Sequence, residues 1–126
     1  MTLSFSEVFP MLANAVPGFE ASDEDWAEPL AYCFLNEMVR FVSDRTFAKP
    51  TIEAERFGDL LERLIAQGDD EVQYLVIDAI EGLVDLGSKE IVASHFGPQA
   101  RKRWEIVSGE IAYPEDVPRD WAKFPK

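Results

Sequence analysis

A chain of 126 residues, 47% of them apolar, is the size of a single domain and has enough apolar surface to bury a core, which excludes disorder along its whole length. Twenty-four Asp and Glu against 12 Lys and Arg leave a formal charge of −12. Such a surface repels phosphates, so direct binding to nucleic acid or to an anionic membrane is disfavoured, and a basic protein partner steered in by the field is favoured. Before Arg40 the chain has seven acids (Glu7, Glu20, Asp23, Glu24, Asp25, Glu28 and Glu37) and no Lys or Arg. The single cysteine, Cys33, excludes an internal disulfide, and its apolar helical surroundings predict a small buried hydrophobe. The opening MTLSFSEVF has neither the basic nor the apolar region of a signal peptide. No apolar stretch approaches the ~20 residues that span a bilayer. A cytoplasmic protein is expected.

The first expected helix runs from Ser6 to Ala15, with Val8, Phe9, Leu12 and Val16 as its apolar stripe and Pro10 near its first turn. Pro17-Gly18 ends it. Ser22 or Asp23 is positioned to cap a second helix, whose body from Trp26 to Arg45 carries Leu30, Phe34, Met38, Phe41 and Val42 at helical spacing. After Lys49-Pro50, Thr51 opens a third helix. Phe57, Leu60, Leu61, Leu64 and Ile65 follow the i, i+3, i+4 pattern there, and Gly68 stands where a left-handed C-terminal cap belongs. Asp69 or Asp70 caps a fourth helix lined by Val72, Leu75, Val76, Ala79, Ile80, Leu83 and Val84, closed by Gly87. Ser88 caps a short fifth through Phe96, and Gly97-Pro98 opens a sixth containing Arg101, Lys102, Arg103 and Trp104. From Gly109 the texture changes. Ile111, Tyr113, Val117, Trp121 and Phe124 alternate with Pro114, Pro118 and Pro125, which excludes a long helix and predicts a tail strapped across the helical body.

No segment alternates with period two, so the fold class is all-α, with five or six helices in antiparallel HEAT-like pairs or an irregular bundle. Residues 1–108 form one helical domain and residues 109–126 the tail. The succession Thr51–Gln67 and Asp70–Leu86, joined by a short acidic turn, is the grammar of stacked helix pairs sharing one core.

Chemistry is sparse. His95 is the only histidine, and its neighbour Ser94 points about 100° away on a helix, so adjacency makes no dyad. Cys33 and His95 together are too few for a zinc site. Asp69-Asp70-Glu71 lacks the alternating ligands and central glycine of a calcium loop and matches a helix dipole instead. The glycines are dispersed, with no phosphate loop. Neither catalytic residues nor a cofactor or metal are expected. Trp26, amid acids, reads as a helix staple or as an interface anchor. Arg101-Lys102-Arg103 is expected to pair with the protein's own carboxylates.

The elements Gly68, Asp69, Glu71 and Val72, then Leu86 and Gly87, then Gly97 and Pro98, then Arg103 and Trp104, resemble a group of small acidic bacterial proteins of the immunity type. The resemblance covers about residues 57–104. It implies a protein that binds and silences one cognate toxin, of the basic nuclease kind, by masking its active site. Partner contacts are then expected at Asp23, Glu24, Asp25, Trp26, Glu28, Asp69, Asp70 and Glu71. A HEAT-like adaptor or assembly protein without catalytic activity is the alternative.

Overall fold

A computed structural model describes residues 2–19, 31–47 and 49–126. Among these, six α-helices follow in order: α1 (Val8–Ala13), α2 (Ala31–Arg45), α3 (Ile52–Gln67), α4 (Asp70–Leu83), α5 (Lys89–Ala93) and α6 (Pro98–Val107). Single 3₁₀ turns cover Phe5–Glu7 and Trp121–Lys123. The fold is an all-α bundle, and the described residues contain no strand beyond one isolated parallel bridge between Leu3 and Gly68.

Local chemistry sets the helix ends. Thr51 Oγ1 accepts the Ala54 N–H (3.2 Å) at the head of α3, and Asp69 Oδ1 accepts the Val72 N–H (3.0 Å) at the head of α4. Each satisfies one of the amide donors that a helix start leaves free. Acids in both first turns suit the positive dipole end.

The contacts between helices give a two-layered zigzag. Asn36 of α2 meets Asp78 of α4, and farther along Ser43 meets Ser88 just past α4, so numbers rise together and the two helices run parallel. α3 runs back between them in sequence and packs on both. On its other flank Gly58 abuts His95 and Glu62 holds the start of α6, so α3 and α6 form the second layer. Each element buries its stripe against its neighbours, as in a helical bundle.

The shared core is Leu12, Val16, Phe34, Met38, Val42, Phe57, Leu61, Leu64, Ile65, Leu75, Ile80, Leu83 and Trp104, with their neighbours. A fully buried residue of this kind contributes about 1.5–3 kcal/mol of transfer free energy. Leu30 lies outside the described residues, and so does the side chain of Phe9.

Several local expectations need correction. Gly68 is not left-handed; it is extended (φ −76°, ψ 150°). A Cβ there would stand 2.3 Å from the Val72 side chain and 2.5 Å from the Leu64 carbonyl, so glycine is required by crowding. Its extended form lets the chain pair with Leu3, whose N–H donates to Gln67 and whose carbonyl accepts from Asp69. The first helix is split into a 3₁₀ turn and α1, and the fifth ends at Ala93. Ser88 makes no cap bond. It is buried instead, donating to the Ser43 carbonyl (3.0 Å) with its Oγ against Ser43 Oγ. Cys33 is exposed, because the apolar run around it turns Phe34 and Leu35 inward and leaves the thiol on the outer side of α2.

Candidate functional site

Between residues 64 and 88 the chain has six acids (Asp69, Asp70, Glu71, Asp78, Glu81 and Asp85) and no Lys or Arg. The apolar positions of α4 all turn inward, so these acids fall on the outer side of the parallel layer. Glu71 and Asp78 are seven residues apart, as are Tyr74 and Glu81, and a seven-residue step returns to nearly the same direction on a helix. Two adjacent ladders result, and Asp85 extends the first just beyond the helix. Glu71, Glu81 and Asp85 are exposed, and Asp78 is half-buried.

α2 supplies the neighbouring wall. Gly82 brings the backbones close, since a Cβ there would stand 2.8 Å from Asn36 Oδ1. Asn36 Nδ2 donates to Asp78 Oδ2 (3.0 Å), which holds that carboxylate in the seam. Arg40 lines the same hollow with Asp78, Glu81 and Gly82. The Tyr32 hydroxyl is pushed up from its ordinary value, first by burial and then by the charges of Asp78 and Glu71. Tyr74 projects from the acidic face with 41% of its surface exposed, and its hydroxyl donates to the Asp120 carboxylate.

Among the expected contact residues, Asp69, Asp70 and Glu71 lie together at the head of α4, in a surface hollow shared with Thr2, Gly68 and Lys126. Asp69 is engaged as the cap, while Asp70 and Glu71 are exposed. Asp23, Glu24, Asp25, Trp26 and Glu28 lie outside the described residues. The continuation of the acidic face through Asp78, Glu81 and Asp85 is not evident from the sequence alone. Its signal was available in the absence of any base over residues 64–88, but the decisive feature is the packing of α2 alongside.

The residues with catalytic potential are not brought together. Ser94 Oγ donates to the Ile91 carbonyl (2.5 Å), so it is committed to its own turn. His95 is half-buried, and its Nε2 has no partner among the described residues. No group of three or more metal-ligating side chains occurs among the described residues. No helix among them is long and apolar enough to cross a membrane.

The basic cluster departs from expectation. Arg101 reaches Glu110 (3.8 Å), but Arg103 is 1% exposed and has no carboxylate partner among the described residues. Its Nη1 donates to the Gln99 carbonyl (2.9 Å), and its guanidinium lies 4.8 Å from the centre of the Phe124 ring. Burial pulls its pKa down, opposed by the charge of Glu62 and by Tyr113. The reason is geometric: Glu62 is already taken, accepting the N–H groups of Gln99 (3.0 Å) and Ala100 (3.0 Å). Phe124 belongs to the tail, whose 3₁₀ turn lies on α4.

No family model, curated protein or solved structure matches this chain. The motif residues behind the resemblance have structural work within this fold. Gly68 fits beneath Val72, Asp69 caps α4, and Gly97 leaves room for the Glu62 carboxyl, 2.7 Å from where a Cβ would be. Trp104 is fully buried.

Proposed function

We propose that this chain is a non-catalytic binding protein whose acidic α2–α4 face covers a basic protein. In its specific form it is a cytoplasmic immunity protein that neutralises a cognate bacterial toxin, a basic nuclease being the partner of matching charge. The observation that carries this reading is the acid-only face of α4, with Glu71, Asp78 and Asp85 on one ladder and Glu81 beside the exposed Tyr74 on the next. Carboxylates on such a face take the positions that substrate phosphates occupy in a nuclease, and the aromatic ring supplies an anchor that excludes water. Association is accelerated by the field of a chain at −12. The same charge argues against nucleic acid as the partner.

The zigzag of parallel α2 and α4 favours a second reading, a helix-pair adaptor within a larger assembly. Co-expression separates the two. A basic neighbouring gene product that arrests growth alone, is tolerated with this chain, and dissociates from it as salt rises supports the first. Stable incorporation into a multi-subunit complex with no toxic member supports the second.

A further inference from the structure

The tail is organised largely by itself. Tyr113, Trp121 and Phe124 form a three-ring cluster with centroids 5.2–5.7 Å apart. The Tyr113 hydroxyl donates to the Pro118 carbonyl (2.6 Å), and Arg119 lies over the Tyr113 ring (5.4 Å). It meets the helical body chiefly along α4, on which its 3₁₀ turn lies. Phe124, the one buried residue of the tail, covers Arg103, and Asp120 accepts from Tyr74. Near the junction the Ile111 N–H donates to Glu105, beside the half-exposed Arg101–Glu110 pair. The chain leaves α6 through Gly109 at φ +86°, a conformation that glycine adopts without strain and that marks a pivot.

Beneath the tail the body presents a cation that docking itself desolvates. Arg103 has neutral oxygen acceptors on Gln99, the face of Phe124 and no counter-charge in contact, and its buried Nη2 has no partner among the described residues. A charge removed from water with only neutral partners opposes the state that buries it. Packing of the 3₁₀ turn on α4 and the Tyr74–Asp120 hydrogen bond therefore hold the tail down against a term that pushes it off.

We propose that residues 109–124 are a detachable strap, whose release uncovers Arg103 and frees Tyr74, enlarging the α4 face at its edge. The consequence for binding rests on the α4 face being an interface; the strap itself does not.

Native-state hydrogen exchange of the full chain without partner tests this, following the Ala122, Lys123 and Phe124 amides against those of Leu61 and Val76. In the wild type the tail amides exchange at least about 100-fold faster than the core amides, because they open locally. Phe124→Ala speeds tail exchange a further ~10-fold and leaves the core amides unchanged, whereas Arg103→Met, which removes the charge and keeps an apolar stem, slows tail exchange. Tail and core amides exchanging at one common rate would overturn the proposal. So would an Arg103→Met variant whose tail exchange is unchanged or faster. Since no partner is present, these rates stand or fall independently of the interface.

Discussion

Glu62 does for α6 what Asp69 does for α4, but from a different helix. Both of its carboxylate oxygens accept amide N–H groups of the α6 first turn, across a separation of 37 residues from Gln99. Removing a cap of this kind costs about 1–2 kcal/mol, so Glu62→Ala is expected to lower urea-unfolding stability by that much. Gly97→Ala places a Cβ 2.7 Å from the Glu62 carboxyl and displaces it, so a similar loss is expected. The double variant should then be far less destabilised than the sum of the two, since both remove one interaction. Additive losses would show that the two residues act separately. Gly58→Ala is a harsher change: its Cβ would lie 2.4 Å from the His95 carbonyl, which is backbone and cannot swing aside. A loss of about 1–3 kcal/mol or more is expected from such overpacking, read from the same unfolding curves. At this scale the sequence shows a helix start at Gly97-Pro98 and a cap at Asp69. It does not show Glu62, because a capping partner supplied from another helix leaves no local pattern. The meaning of Gly68 was hidden for the same reason, since its crowding depends on Val72 and its extended pairing on Leu3.

The elements differ in how much of them is local. α3 is legible because its apolar residues repeat at i, i+3, i+4, i+7 and i+8, and Phe57, Leu60, Leu61, Leu64 and Ile65 are all buried as that spacing predicts. α5 is five residues long, too short for periodicity to fix its end, and Ser88 is recruited by Ser43 instead of capping it. In the tail, prolines exclude a helix but leave the docking site open; Tyr74 and the α4 surface around it determine it. Protonation gives this docking a pH window. The Asp120 carboxyl is held below its ordinary value of 3.8 by the Tyr74 hydroxyl first, then by the Ala122 N–H and Lys123. A depressed carboxylate stabilises the docked tail above its unfolded pKa and loses that contribution as pH falls through the lowered value. The Tyr74 hydroxyl is held above its ordinary value of 10.0, mainly by Asp120, with Asp70 adding to it. A raised phenol contributes fully below that ordinary value and loses its contribution as pH rises through the raised one. The ring NMR signals of Trp121 and Phe124 are therefore expected to hold steady from about pH 5 to about pH 9. Below about pH 4 they should move while the α3 signals stay in place. Movement of both sets together would mean that the tail and core open as one.

Over the whole molecule, charge and architecture point the same way. The acids of α4 share one outer face because the rest of the helix is covered by α2, α3, α6 and the 3₁₀ turn of the tail, and α2 adds Tyr32 and Asn36 along the seam. Composition alone made an acidic surface legible, and the resemblance pointed to Asp69, Asp70 and Glu71. The parallel packing of α2 on α4, which extends the face to Asp78, Glu81 and Asp85, required the fold. An interface of this type binds more weakly as salt rises, because its outer charges are screened over about 8–10 Å at physiological ionic strength. The most direct test compares two variants that lose the same charge. One carries Glu71→Gln, Glu81→Gln and Asp85→Asn on the α4 face; the other carries Glu55→Gln, Asp59→Asn and Glu90→Gln on α3 and α5. Affinity for the basic partner recovered from the native host is measured for both across a salt series. The face variant is expected to lose most of the affinity and to show a shallower salt dependence, with the other variant close to the wild type. Equal behaviour of the two variants would contradict the assignment of binding to the α4 face.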